Sequence, residues 1–106
     1  MDDYYLEKSD KKTKKYMVSY INKDTGRINT IQFGQAGASD FTQHKNKVRR
    51  DKYEARHSGM GENWNNPKSG AGFWSYHLLW NPNTSNFKQA IKETEKKFNI
   101  NIHYIE

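Results

Sequence analysis

Ala71-Gly72-Phe73-Trp74-Ser75-Tyr76-His77-Leu78-Leu79-Trp80 is the densest apolar run in an otherwise very polar chain. Large aromatic side chains bury roughly 150–250 Å² each. Burying a side chain such as Phe or Leu stabilises a fold by roughly 1.5–3 kcal/mol. This run is therefore expected to form a short helix, buried on several sides, that organises the core. Asn81-Pro82 ends it, because the residue before a proline avoids helical geometry.

The chain carries the run within 106 residues, of which 33% are hydrophobic and 14% aromatic. Mean hydropathy is −1.20. That length suits one domain with a small core. The aromatic content argues against full disorder. No apolar stretch approaches the roughly 20 residues that span a bilayer, so no membrane insertion is expected. The acidic, aromatic start (Asp2, Asp3, Tyr4, Tyr5) does not read as a signal peptide. Without cysteine there is no disulfide, no thiol nucleophile and no thiolate metal site.

Residues 1–15 read as a flexible leader, with Lys8, Lys11, Lys12, Lys14 and Lys15 repelling one another in a polar segment. A basic arm that orders on a polyanion is the alternative. Residues 16–106 then form a single small α+β domain. Tyr16, Val18 and Tyr20 alternate with Met17, Ser19 and Ile21, and Ile31 and Phe33 alternate with Thr30 and Gln32. Between these strands, Asn22–Arg27 carries turn chemistry, so the pair reads as a β-hairpin.

Ser39 or Asp40 caps a helix over residues 41–57, which Ser58-Gly59 stops. Phe41, Val48 and Ala55 form its narrow apolar stripe. The final helix is capped by Thr84 or Ser85 and presents Phe87, Ala90, Ile91, Thr94 and Phe98 on one face. Ile100, Ile102 and Tyr104 then alternate as a third strand returning to the hairpin. The expected core is Phe33, Phe41, Trp64, Phe73, Trp74, Leu78, Leu79, Trp80, Phe87, Ile91 and Phe98.

No catalytic constellation stands out. His44, His57, His77 and His103 are scattered and make no His-Glu-x-x-His pattern, so no metal or other cofactor is expected. Gly34 and Gly37 match neither the dinucleotide fingerprint nor the phosphate loop. No nucleophile elbow appears, and no carboxylate pair is marked. A hydrolase would need a pocket joining His44 and His57 to carboxylates. The expectation is a protein that is not an enzyme.

The formal net charge is +6 and the pI about 9.5, which favours acidic partners. The candidate contact residues lie on the basic helix: Lys45, Lys47, Arg49, Arg50, Lys52, Tyr53, Arg56 and His57. Lysine and arginine neutralise phosphates and release counterions. Tyr53 and Trp64 offer rings for base stacking. The arginines alternatively offer forked bonds to carboxylates on a protein. The partner is thus nucleic acid, DNA before RNA, or an acidic protein surface.

The order of short motifs (Ile31-Gln32-Phe33-Gly34, Asp40–Lys45, Arg50–His57, Glu62-Asn63-Trp64-Asn65, Ala71–Ser75, Leu78-Leu79-Trp80) resembles an uncharacterised domain family of large nucleocytoplasmic DNA viruses. The resemblance covers roughly residues 16–100. It implies no activity and transfers no functional residue. It does imply a viral source and a place in the virion or the host-cell cytoplasm. Joined to the charge pattern, it suggests a structural or adaptor protein, a minor virion component docking through its basic helix. The alternative is a nucleic-acid-binding protein using that helix and the Lys-rich leader.

Overall fold

The computed structural model describes residues 1–106. The fold is α+β: a four-stranded mixed sheet with helices on one face. Strands β1 (Asp3–Lys8), β2 (Lys14–Ile21) and β3 (Ile28–Gln35) come first. Four helical segments follow: α1 (Phe41–His44), α2 (Lys47–Ser58), α3 (Ala71–Trp74) and α4 (Phe87–Phe98). Strand β4 (Asn101–Ile105) closes the chain. The order across the sheet is β3-β2-β1-β4, antiparallel except for the β1–β4 pair.

The expected leader is the largest correction. Residues 3–8 are not a flexible tail but an inner strand, flanked by β2 and β4. Its alternation puts Tyr4 and Leu6, 1% and 0% exposed, into the core. The lysine-rich composition conceals this, because the cations start at Lys8, past the buried positions. Lys14 and Lys15 likewise open β2. The hairpin forms as expected, with Val18 opposite Ile31 and Tyr16 opposite Phe33. The C-terminal strand also forms, yet it pairs with β1 and not with the hairpin.

Register aligns one apolar face. Leu6 stands opposite Val18 and Tyr104, and Tyr4 opposite Ile102. That face packs on α3, α4 and the π-helical turn Ser75–Leu79 that extends α3. The turn is defined by the Trp80 amide donating to the Ser75 carbonyl, five residues back. Trp74 is fully buried at the centre, against Tyr4, Phe33 and Phe73. Its indole N–H donates to the Pro67 carbonyl at 2.8 Å, which satisfies the one polar atom the ring buries. Trp80 and Trp64 are only half-buried, and Phe41 is buried outside the main cluster.

The expected helix over 41–57 is two helices. Lys45 adopts a left-handed conformation (φ 56°) and ends α1, and the Asn46 side chain accepts from the Val48 and Arg49 amides to start α2. Asp40 caps α1 with a capping box through Gln43. The seven-residue stripe fails, since Val48 is 63% exposed and Ala55 is exposed too. The residues α2 buries are Arg50 and Tyr53. Asn86, not Thr84 or Ser85, caps α4.

Candidate functional site

A cavity of about 500 Å³ opens between the β2–β3 edge, the loop before α1, and α2. Its lining includes Lys14 and Lys15 from β2 and Arg49, Lys52 and Arg56 from α2. Tyr53, His57, Phe33, Leu79 and Trp80 complete much of the wall. Of the expected contact residues, the structure brings Arg49, Lys52, Tyr53, Arg56 and His57 to this cavity. Lys45 and Lys47 lie outside it. Lys45 reaches only toward Ser85, at 3.4 Å.

Helical spacing explains the grouping. Positions 49, 52 and 56 are related by i, i+3 and i+7, one stripe of α2. The stripe sits about a quarter-turn from the face holding Arg50 and Tyr53. It therefore borders the body of the protein and looks across the cavity toward Lys14 and Lys15.

A column of rings fixes α2. Trp80 stacks on Tyr53, with centroids 4.3 Å apart, and Tyr53 stacks on His57 at 3.9 Å. Burial, followed by the nearby Glu62 charge, raises the Tyr53 hydroxyl well above the ordinary phenol range. His57 Nδ1 and Glu62 Oε2 are 2.7 Å apart, and the Trp64 indole donates to the other Glu62 oxygen. Gly72 leaves room for that carboxylate, because a Cβ there would lie 2.9 Å from the Glu62 side chain.

Two expected contact residues are corrected. Arg50 is 5% exposed and serves the interior. Its Nε donates to the Trp80 carbonyl at 2.9 Å, and its guanidinium meets Asp51 and Glu54. The Tyr76 hydroxyl donates to Glu54 at 2.6 Å. Tyr53 is 7% exposed and already sandwiched, so it offers no face to a base. Trp64 is similarly covered on one face by Tyr76, at 3.9 Å. Both lie on the side of α2 that packs against Trp80 and Tyr76.

The charges lining the cavity are poorly compensated. Lys15 pairs with Asp40 at 2.5 Å. Lys14, Arg49, Lys52 and Arg56 form no ion pair. The first turn of α2 holds no acidic residue, although the positive end of a helix dipole favours one. Arg49 near that end is disfavoured by the dipole unless an anion approaches, whereas Arg56, in the last turn, is favoured by it. Sequence reasoning placed Lys14 and Lys15 in a leader, at most a basic arm, and not on a strand facing the basic helix. Two consecutive lysines carry no alternation, so only their place next to the Tyr16–Ile21 alternation could have hinted at it.

The histidines stay apart. His77 Nε2 is 2.7 Å from the Trp64 carbonyl, and burial holds its pKa below the usual value. His44 packs near Trp80 and accepts the Asn46 amide at Nδ1. It does not line the cavity, and neither does Glu62, the carboxylate beside His57, so no pocket joins His44 and His57 to that carboxylate. No group of three His, Asp or Glu side chains is placed to hold a metal. No helix is long and apolar enough to cross a membrane.

The molecule is thus a small α+β domain with a basic cleft walled in part by aromatic side chains. Residues 4–57 match the model of a family of unknown function, DUF5754, and the chain belongs to that family. The matched span begins in β1 and runs through most of α2, so it takes in both cationic walls of the cleft. No curated protein and no solved structure matches the chain.

Proposed function

We propose that this protein is a non-enzymatic nucleic-acid-binding protein whose basic cleft holds the phosphate backbone. One observation carries the reading: four cations without carboxylate partners, Lys14, Arg49, Lys52 and Arg56, line a single cavity. Phosphates are the common polyanions that such a cluster neutralises, with release of counterions. DNA is the first candidate. The test is fluorescence anisotropy with labelled oligonucleotides at about 50 and 200 mM salt. Affinity should fall steeply between the two salts, and Arg49→Glu with Arg56→Glu should remove most of it. Salt-independent binding, or an unaffected double variant, would defeat the reading.

A second reading is a structural or adaptor role on an acidic protein surface. It is favoured by the exposed forks of Arg49 and Arg56, which match carboxylates in a bidentate manner. The motif resemblance to a family of large DNA viruses attaches to either reading. A viral protein of this kind would act in the particle, as a minor component near the packaged genome, or in the host-cell cytoplasm. Pull-downs from infected lysate separate the two: partners lost on nuclease treatment support nucleic acid, and partners retained support the adaptor.

A further inference from the structure

We propose that the cleft selects single-stranded nucleic acid and excludes the duplex, a specificity that rests on the nucleic-acid reading above. The decisive feature is which residues sit on the ridge of α2. A helix reads a duplex by projecting its side chains into a groove about 12 Å wide. The side of α2 opposite Arg50 and Tyr53 carries Val48 and Ala55, flanked by Asp51 on one side and Lys52 on the other, all exposed. The crest itself, Val48 and Ala55, has no cation, and Asp51 at its edge pairs with Arg50. Pressed into a groove, that crest would meet phosphates with only Lys52 at its margin to neutralise them.

The cations instead line a concavity. Arg49, Lys52 and Arg56 lie on one wall, and Lys14 and Lys15 on the strand opposite. Only a chain that enters the cavity meets both walls. The volume, about 500 Å³, is that of a small-molecule pocket and admits a nucleotide-sized unit but no paired helix. A positively charged groove that tracks one backbone, edged by aromatic rings, is how single strands are commonly held without sequence preference. Trp80, half-buried in the wall, has one face covered by Tyr53, so contacts to the backbone and not base stacking carry the binding here.

Lys15 is fixed on its wall by two bonds. Its ammonium bonds to Asp40 at 2.5 Å and to Gln43 at 2.9 Å. Lys14 beside it is exposed and unpaired. A backbone passing between the walls would contact about four otherwise unpaired cations, which sets a salt slope. Log affinity should fall against log salt with a slope near −3 for a single strand.

The probe is an oligo-dT of about 12 nucleotides and its duplex with oligo-dA. The single strand should bind at least tenfold tighter. Lys14→Glu and Lys52→Glu, on opposite walls, should each weaken it tenfold or more while melting like the parent protein. Duplex binding as tight as single-strand binding, with Arg49→Glu still disrupting both, would overturn the strand selectivity and leave nucleic-acid binding standing. Loss on Lys52→Glu but not on Lys14→Glu would overturn the two-walled passage. Failure of both probes to bind would overturn the parent reading and this one together.

Discussion

Trp80 and Tyr53 lie face to face, 4.3 Å between ring centroids and 4° from parallel. The first ends the π-helical turn, and the second sits mid-way along α2. Their contact, extended by His57, sets the rotation of α2 about its own axis. That rotation determines that Arg49, Lys52 and Arg56 look into the cleft and that Val48 looks away.

Removing the middle ring should therefore affect folding and binding together. Tyr53→Ala should cost about 3 kcal/mol, the usual scale for deleting a buried aromatic side chain. Affinity for oligonucleotide should drop with it, since the basic stripe loses its support. Tyr53→Phe keeps the stack and should retain both. Thermal melts and anisotropy on the two variants check this, and equal loss in Tyr53→Phe would mean that the hydroxyl and not the ring matters.

Neighbouring arginines should behave oppositely. Arg50→Ala leaves the Trp80 carbonyl and the Glu54–Tyr76 pair short of a buried donor, a loss of about 2 kcal/mol. Arg49→Ala removes an exposed side chain and should change stability by no more than about 0.5 kcal/mol. Only Arg49→Ala should flatten the salt slope, by about one unit. Urea denaturation and a salt titration, run on both, separate the roles.

The N-terminal strand makes a sharp contrast between adjacent residues. Leu6→Ala, at 0% exposure, should cost about 3 kcal/mol. Tyr5→Ala, on the open face at 42% exposure and stacked on His103, should cost less than about 1 kcal/mol. Were residues 1–15 a free leader, both would be silent in a chemical melt.

Acid should weaken the fold in two stages. Burial lowers the His77 pKa below its ordinary 6.5, so the unfolded chain binds the proton first. Stability is complete above about pH 6.5 and declines as pH falls toward the folded-state value. His44, also lowered by burial, loses its share in the same window. The Tyr76 hydroxyl, then Arg50, holds Glu54 below its usual 4.5, so its contribution disappears as pH falls below that point. The partner hydroxyl of Tyr76 is pushed up to about 12, mainly by burial and then by Glu54. Melts from pH 7 to pH 3 should show both limbs. His77→Gln, which keeps a donor for the Trp64 carbonyl, should reduce only the upper one.

Local pattern was enough for much of the architecture. The alternation at 16–21 and 28–33, the single apolar face of α4, and the aromatic run at 73–80 each encode an element through its own period. Asn99 ends α4 in the left-handed conformation, which asparagine adopts more readily than most residues. A property that depends on spacing along one segment can be read from that segment. The excess of positive charge was equally plain and pointed to the basic helix, of which Arg49, Lys52, Arg56 and His57 line the cavity.

Tertiary structure decided what spacing leaves open. Tyr4 and Leu6 are two apolar side chains in a polar stretch, too few for a strand signal, and they become core only because β2 and β4 flank them. Arg50 and Arg49 are indistinguishable in sequence, yet one is buried and one free, because the Tyr53–Trp80 stack sets the helix's rotation. Lys14 and Lys15 lie 34 or more positions from Arg49 and join its cleft only through folding. Composition and periodicity are local properties of the chain. Which charge faces a cavity is a property of surfaces brought together, and burial energy alone selects that arrangement.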